Sequence, residues 1–223
     1  IPNAGEKAER LGRDLTVKDL PDDWPRFWAV DFGFNNPFVC QMYAENPDGQ
    51  LIMYREIYRT KRTVDLHAAE IMEHVSDPDP EFVGRRGDEA SKGRIWNEPK
   101  PKAVVCDHDA EGRAQLAKHL NLPTKAANKK VKEGIEAAQI RMRRRPDGTP
   151  GVVFLRDARV RRDQDLADAK KPTCTVEEFP VYVWNIKDGR VVKDEPIKED
   201  DHGMEIRGGA AGARRAAAAA LCP

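Results

Sequence analysis

The chain has 223 residues, enough for one sizeable domain with a real core. Its 38 basic and 38 acidic side chains cancel, and charged residues make up 34% of it against 39% hydrophobic, so long polar loops are expected around that core. No stretch approaches the ~20 apolar residues of a membrane span and nothing at the N-terminus reads as a signal peptide, so a cytoplasmic protein with no membrane partner is expected. The start at Ile1-Pro2, without Met, leads us to expect a piece of a longer protein.

Residues 1–25 are polar, carry Pro21 and Pro25, and read as a linker or N-terminal arm with at most one short helix. An apolar run predicts a first strand over 26–32, ending on Asp31 and followed by Gly33. A second run covers 37–44. The sequence Asn46-Pro47-Asp48-Gly49 is a strong turn signal, and a third strand returns over 51–58. This is a three-strand meander. Thr63 can cap a helix that runs to about Val75 on Val64, Leu66, Ala68, Ile71 and Met72. Residues 76–101, rich in Pro, Gly and charge, read as a long loop. A short strand over 102–106 ends on Asp107, and a helix follows over 111–120. Strand, helix and strand in this order imply a crossover with parallel pairing. Residues 129–145 read as mostly helical, and Pro146-Asp147-Gly148 as a turn. Residues 152–155 read as a strand, and 181–184 with 190–192 as a hairpin. The Ala- and Gly-rich run after residue 205 is a low-complexity tail.

Three acidic sites stand out. Asp31 and Asp107 each end an apolar strand, where a carboxylate is costly unless it is paired or bound to metal. The third is Asp200-Asp201-His202, with Glu205 three residues on. On a helix, positions 201 or 202 and 205 would share one face. Carboxylates from separate strand ends can converge to hold one or two divalent cations. Two cations about 3.5–4 Å apart can activate a water and stabilise the leaving oxygen of a phosphodiester. A metal-dependent nuclease is the leading expectation. The competing reading makes Asp31 a turn cap or ion-pair partner and 198–201 an exposed acidic turn.

Basic residues crowd Lys125, Lys129, Lys130, Lys132, Arg141, Arg143, Arg144 and Arg145, and again Arg156, Arg159, Arg161 and Arg162. Such stretches beside an acidic metal site suit a polyanionic substrate. The sequence has no phosphate loop of the G-x-x-x-x-G-K-[ST] kind and no G-x-S-x-G. Cys40, Cys106, Cys174 and Cys222 form no C-x-x-C pair, which argues against zinc, and Cys40 and Cys106 are expected as buried thiols. His67, His74 and His119 lack a ligand partner at a telling spacing and are expected to be structural or solvated.

An ordered set of segments resembles the C-terminal nuclease domain of tailed-phage terminase large subunits. It runs from Val30-Asp31-Phe32-Gly33-Phe34-Asn35-Asn36-Pro37-Phe38 through Tyr54-Arg55-Glu56-Ile57-Tyr58 and Val104-Val105-Cys106-Asp107-His108-Asp109. It continues with Glu133-Gly134-Ile135, Tyr182-Val183-Trp184 and 196–204. The resemblance spans about residues 26–205, with 1–25 as linker and 206–223 as tail. It implies an α/β, RNase H-like fold, a mixed central sheet flanked by helices. It also implies a two-metal endonuclease, using Mg²⁺ or Mn²⁺, that cuts concatemeric viral double-stranded DNA. By this resemblance Asp31, Asp107 and Asp201 are catalytic, and Asp31, Asp107, Asp200, Asp201, His202 and Glu205 are metal ligands. Lys125, Lys129, Lys130, Lys132, Arg143, Arg144 and Arg145 would hold the DNA. The partners implied are a terminase ATPase domain, a small terminase subunit and a portal, in the host cell cytoplasm. The sequence departs from the family after Met204, where Glu205 replaces a common Asp. Two alternatives stay open. One is another nuclease of this fold, such as a junction resolvase or transposase-type enzyme. The other is an inactive DNA- or portal-docking module.

Overall fold

The computed structural model describes residues 14–84, 87–127, 145–180, 184–187 and 190–196. Strands β1 (Arg26–Asp31), β2 (Phe38–Glu45) and β3 (Leu51–Arg59) form the antiparallel meander expected from the apolar runs. Gly49 takes a positive φ of 76° in the turn between β2 and β3, where Asn46 accepts hydrogen bonds from the backbones of Gly49 and Gln50. Every residue of β2 is buried, as befits a strand covered on both faces.

Helix α1 (Val64–Val75) leaves β3 and crosses over the sheet. The following stretch is not structureless, as its composition suggested. Strands β4 (Ser76–Pro78) and β5 (Arg94–Trp96) pair antiparallel within it. Three-residue strands carry too little periodicity to be seen in a Pro- and Gly-rich background. Strand β6 (Ala103–Cys106) then pairs parallel with β1, and helix α2 (Ala110–Leu120) leads to β7 (Thr124–Ala126), parallel to β6. Strand β8 (Val152–Phe154) adds parallel to β3. The central sheet therefore has the order β7-β6-β1-β2-β3-β8. Two short helices, α3 (Gln164–Asp168) and α4 (Thr175–Glu178), follow it, and β9 (Trp184–Lys187) pairs antiparallel with β10 (Arg190–Pro196); of the strand expected over 181–184 only Trp184 is among the described residues, and the strand runs on from it. The helix expected over 129–145 and the low-complexity tail lie outside the described residues, Arg145 excepted.

Register assigns the two faces of the sheet. Trp28, Val30, Phe38, Val104 and Cys106 share the face under α1 and α2, in one cluster with Ile71, Met72, Leu116 and Leu120. Phe27, Ala29, Gln41, Glu56, Tyr58 and Val105 share the other. Glu56 accepts hydrogen bonds from Thr175 N and Oγ1, and Tyr58 donates to Glu178 at 2.7 Å, so α4 packs on this second face. The result is a three-layer α/β domain, with helices on both sides of a mixed sheet. Leu15, Leu20 and Trp24 are buried in the main core, so residues before β1 also contribute to packing.

Candidate active site

Five strands of the central sheet, β1, β3, β6, β7 and β8, run in one direction. Their carboxyl ends share one edge, where ligands gather in open α/β sheets. Along β1 and β6 the parallel pairs end at Val30 and Cys106. The next pair in that register is Asp31 and Asp107. The backbone N–H of Asp107 still donates to the carbonyl of Val30 at 3.0 Å, so the alignment holds to this point. Neighbouring strands lie about 4.8 Å apart, and residues in register point to the same face. The two carboxylates therefore stand side by side on the face opposite α1 and α2. Asp31 is half-buried and Asp107 is exposed.

Local structure fixes both. After Asp31, Phe32 turns inward onto Phe38, with ring centroids 6.1 Å apart. A Cβ on Gly33 would collide with the carbonyl oxygens of Asn36 and Pro37, so the turn closes tightly here only with glycine. The close approach is made by the chain's own backbone. After Asp107, the side chain of Asp109 caps α2, accepting from the N–H groups of Glu111 at 3.0 Å and Gly112 at 3.1 Å. Asp109 is thus spent on the helix, and Asp107 is the carboxylate left at the strand end. A Cβ on Gly112 would lie 2.8 Å from Asp109 Oδ2 and 3.1 Å from Phe32 Cδ1. The two strand-end loops are packed on each other through this glycine.

The thiols on this sheet are no nucleophiles. Cys40 and Cys106 are buried, and burial pushes the Cys106 thiol up to about 12 and Cys40 higher still. His67 is buried and stacked on Phe38.

Of the basic residues expected to hold DNA, Lys125 is exposed on β7, paired with Val105 and so on the face of Asp107. Arg145 is half-buried, its N–H bonded to the carbonyl of Thr149 across the 145–149 turn. Lys129, Lys130, Lys132, Arg141, Arg143 and Arg144 lie outside the described residues. Arg156, Arg161 and Arg162 are exposed on the loop after β8, which leaves from the same edge. Arg156 pairs with Asp14 at 3.2 Å and Arg159 with Glu177 at 3.0 Å. Sequence reading missed Lys61, exposed where the chain leaves β3 at this edge; its neighbour Arg62 turns to α1 and pairs with the buried Glu70. The short β3–α1 link held no motif that would have marked Lys61. Asp200, Asp201, His202 and Glu205 lie outside the described residues, so the third corner is a matter of sequence alone. Among the described residues no three His, Cys, Asp or Glu side chains cluster as a metal site.

The nuclease domain of the P22 large terminase superposes on this chain with a TM-score of 0.56 at 16% identity, covering 90% of this chain and 87% of that one. The chain has the fold of a large-terminase nuclease domain. The large terminase of the thermophilic bacteriophage D6E gives a TM-score of 0.55 at 16% identity over 86% of this chain. In its complex with ADP it gives 0.53 at 15% identity over 85%. The chain spans about 40% of the length of these D6E structures, covering 41% and 39%. No family model and no curated protein matches the chain. This terminase-nuclease fold is the RNase H-like mixed sheet that the resemblance implied. No described helix is long and apolar enough to cross a membrane.

Proposed function

We propose that this chain is a metal-dependent DNA endonuclease, the nuclease part of a large terminase that cuts concatemeric viral DNA during genome packaging. One observation carries the reading. Asp31 and Asp107 end neighbouring parallel strands in register and on one face. They do so in a fold shared with a terminase nuclease domain.

The pair suits a hard divalent cation. Mg²⁺ is commonly held by one or two carboxylates together with substrate phosphates, and keeps several waters. Asp31 and Asp107 would hold the ion or ions, with Asp201 as the third catalytic carboxylate and Asp200, His202 and Glu205 as further ligands. Bound Mg²⁺ or Mn²⁺ would lower the pKa of an attacking water and neutralise charge on the leaving 3′ oxygen. The chain's own residues do the rest. Asp109 and Gly112 hold the turn that carries Asp107, and Gly33 lets the turn after Asp31 fold back. Lys125 and the basic stretches 129–145 and 156–162 would place the phosphate backbone. Such contacts position a duplex without reading its sequence. The ATPase motor, small terminase subunit and portal would be its partners, in the host cell cytoplasm.

The test is Mn²⁺ titration followed by thermal unfolding. A ligand bound only to the native state stabilises it by about 2.7 kcal/mol at a hundred times its Kd. The unfolding temperature should rise with Mn²⁺, and Asp107→Asn should fold normally yet lose most of that rise. An equal rise in Asp107→Asn, or none in the unsubstituted chain, would remove the metal-site assignment.

A further inference from the structure

The two phenyl rings of Phe32-Gly33-Phe34 have opposite fates. Phe32 packs inward, onto Phe38 and against Gly112 at the start of α2. Phe34 is 54% exposed. Its backbone is nevertheless held from both sides. The preceding Gly33 is closed against the carbonyls of Asn36 and Pro37. The carbonyl of Phe34 accepts a 2.7 Å hydrogen bond from the N–H of Lys61. Lys61 itself sits at a positive φ of 55°, a conformation that residues with a side chain adopt only where their surroundings hold them there. Its ammonium pairs with Asp165 at 2.9 Å and remains largely exposed.

An exposed aromatic on a held backbone, three residues beyond Asp31, stands at the sheet edge that carries both carboxylates. Charged side chains dominate the rest of this edge, with Lys61, Arg156, Arg161 and Arg162 exposed on the loops around it. Charges meet phosphates, whereas a phenyl ring meets a base. Aromatic rings contribute to nucleic-acid binding by stacking on bases, and apolar side chains wedge between base steps and unstack them. We propose that Phe34 is a nucleobase-contacting residue of this site, seated on a base step beside the phosphate to be cut. The inference rests on the nuclease reading above and adds to it a residue that contacts a base where the carboxylates act.

The experiment uses Phe34→Trp, Phe34→Ala and the unsubstituted chain. Emission from the new indole is followed, against the unsubstituted chain, while a short DNA duplex is added in EDTA. Cutting of plasmid with Mn²⁺ is measured in parallel. The indole should be quenched as duplex binds. Phe34→Ala should raise KM about tenfold, with kcat and the unfolding temperature nearly unchanged, and Phe34→Trp should restore KM. An indole that stays unquenched in the duplex-bound Phe34→Trp chain, or an unchanged KM in Phe34→Ala, overturns the proposal while cutting by the unsubstituted chain upholds the nuclease. Quenching without any cutting upholds the base contact and overturns the nuclease reading. Loss of both signals overturns both.

Discussion

His67 illustrates how burial decides what a residue can do. It sits on α1 with no exposure, stacked on Phe38 with ring centroids 3.9 Å apart. Desolvation, with help from the nearby charges of Arg62 and Arg59, pulls its pKa down from 6.5 to about 4. Between these values the unfolded chain binds a proton that the folded chain refuses. Its contribution is therefore complete above pH 6.5 and is lost as pH falls toward 4. The loss is on the order of 2–3 kcal/mol. His74, half-buried, is shifted the same way. His67→Phe keeps a stacked ring and removes the titration. Denaturant melts at about pH 4.5 and 7 should differ clearly less for His67→Phe than for the unsubstituted chain, and an equal difference would exclude this role. The sequence left His67 as structural or solvated because no partner stood at ligand spacing; its burial decides for the first. Asp31 and Asp107 were legible for the opposite reason, since a carboxylate closing an apolar run demands a partner. Phe34 was not legible, because exposure depends on how Gly33 and Lys61 fold the loop.

Strands and helices differ in how plainly they announce themselves. The meander and α1 emerge within a residue of their apolar runs, because six or more residues of pattern outweigh local noise. Strands β4, β5 and β7 do not, nor do α3 and α4, whose positions are set by tertiary contacts. Asp163 is an example. It caps α3 by accepting from Leu166 N, and also holds Thr60 N at 2.9 Å. The β4–β5 segment is fastened in a similar way. Arg55 lies 2.8 Å from Glu98, and Tyr54 donates to the same carboxylate at 3.1 Å. Trp96 stacks on Trp28. Removing one partner of a largely buried ion pair costs about 3–5 kcal/mol. Glu98→Ala should lower stability by that order in a urea melt, and a loss below about 1 kcal/mol would show that the latch does not fasten the segment. At α2 the relevant group is the cap. Asp109→Ala should cost about 1 kcal/mol, and Asp109→Ser should recover most of it. Cutting should fall in parallel, because the cap also fixes the turn that carries Asp107. Undiminished cutting by a destabilised Asp109→Ala would uncouple the cap from the site.

For the whole molecule, topology gathers chemistry that the sequence disperses. Asp31 and Asp107 are far apart in the chain, yet one parallel pairing makes them neighbours. Lys125 joins their face through β7. Strand β7 ends at this edge, and Lys129, Lys130 and Lys132 come next in the sequence. Reversing these three charges should weaken duplex binding and flatten its dependence on salt, since each lost phosphate contact lowers the slope by about 0.9. An unchanged slope would take this stretch out of the DNA path. The fold could be read from the chain, and so could the strand-end positions of Asp31 and Asp107. The third acidic site, at Asp200, Asp201, His202 and Glu205, rests on sequence alone.

The central claim is a nuclease whose metal is held by Asp31 and Asp107. Plasmid digestion with Mn²⁺, Mg²⁺ or EDTA tests it directly, beside Asp31→Asn and Asp107→Asn variants checked for intact folding. Cutting with Mn²⁺ or Mg²⁺, none in EDTA and a loss of at least about a hundredfold in either variant is the expected result. Cutting that survives in a folded Asp31→Asn or Asp107→Asn chain, or that persists in EDTA, would contradict the account.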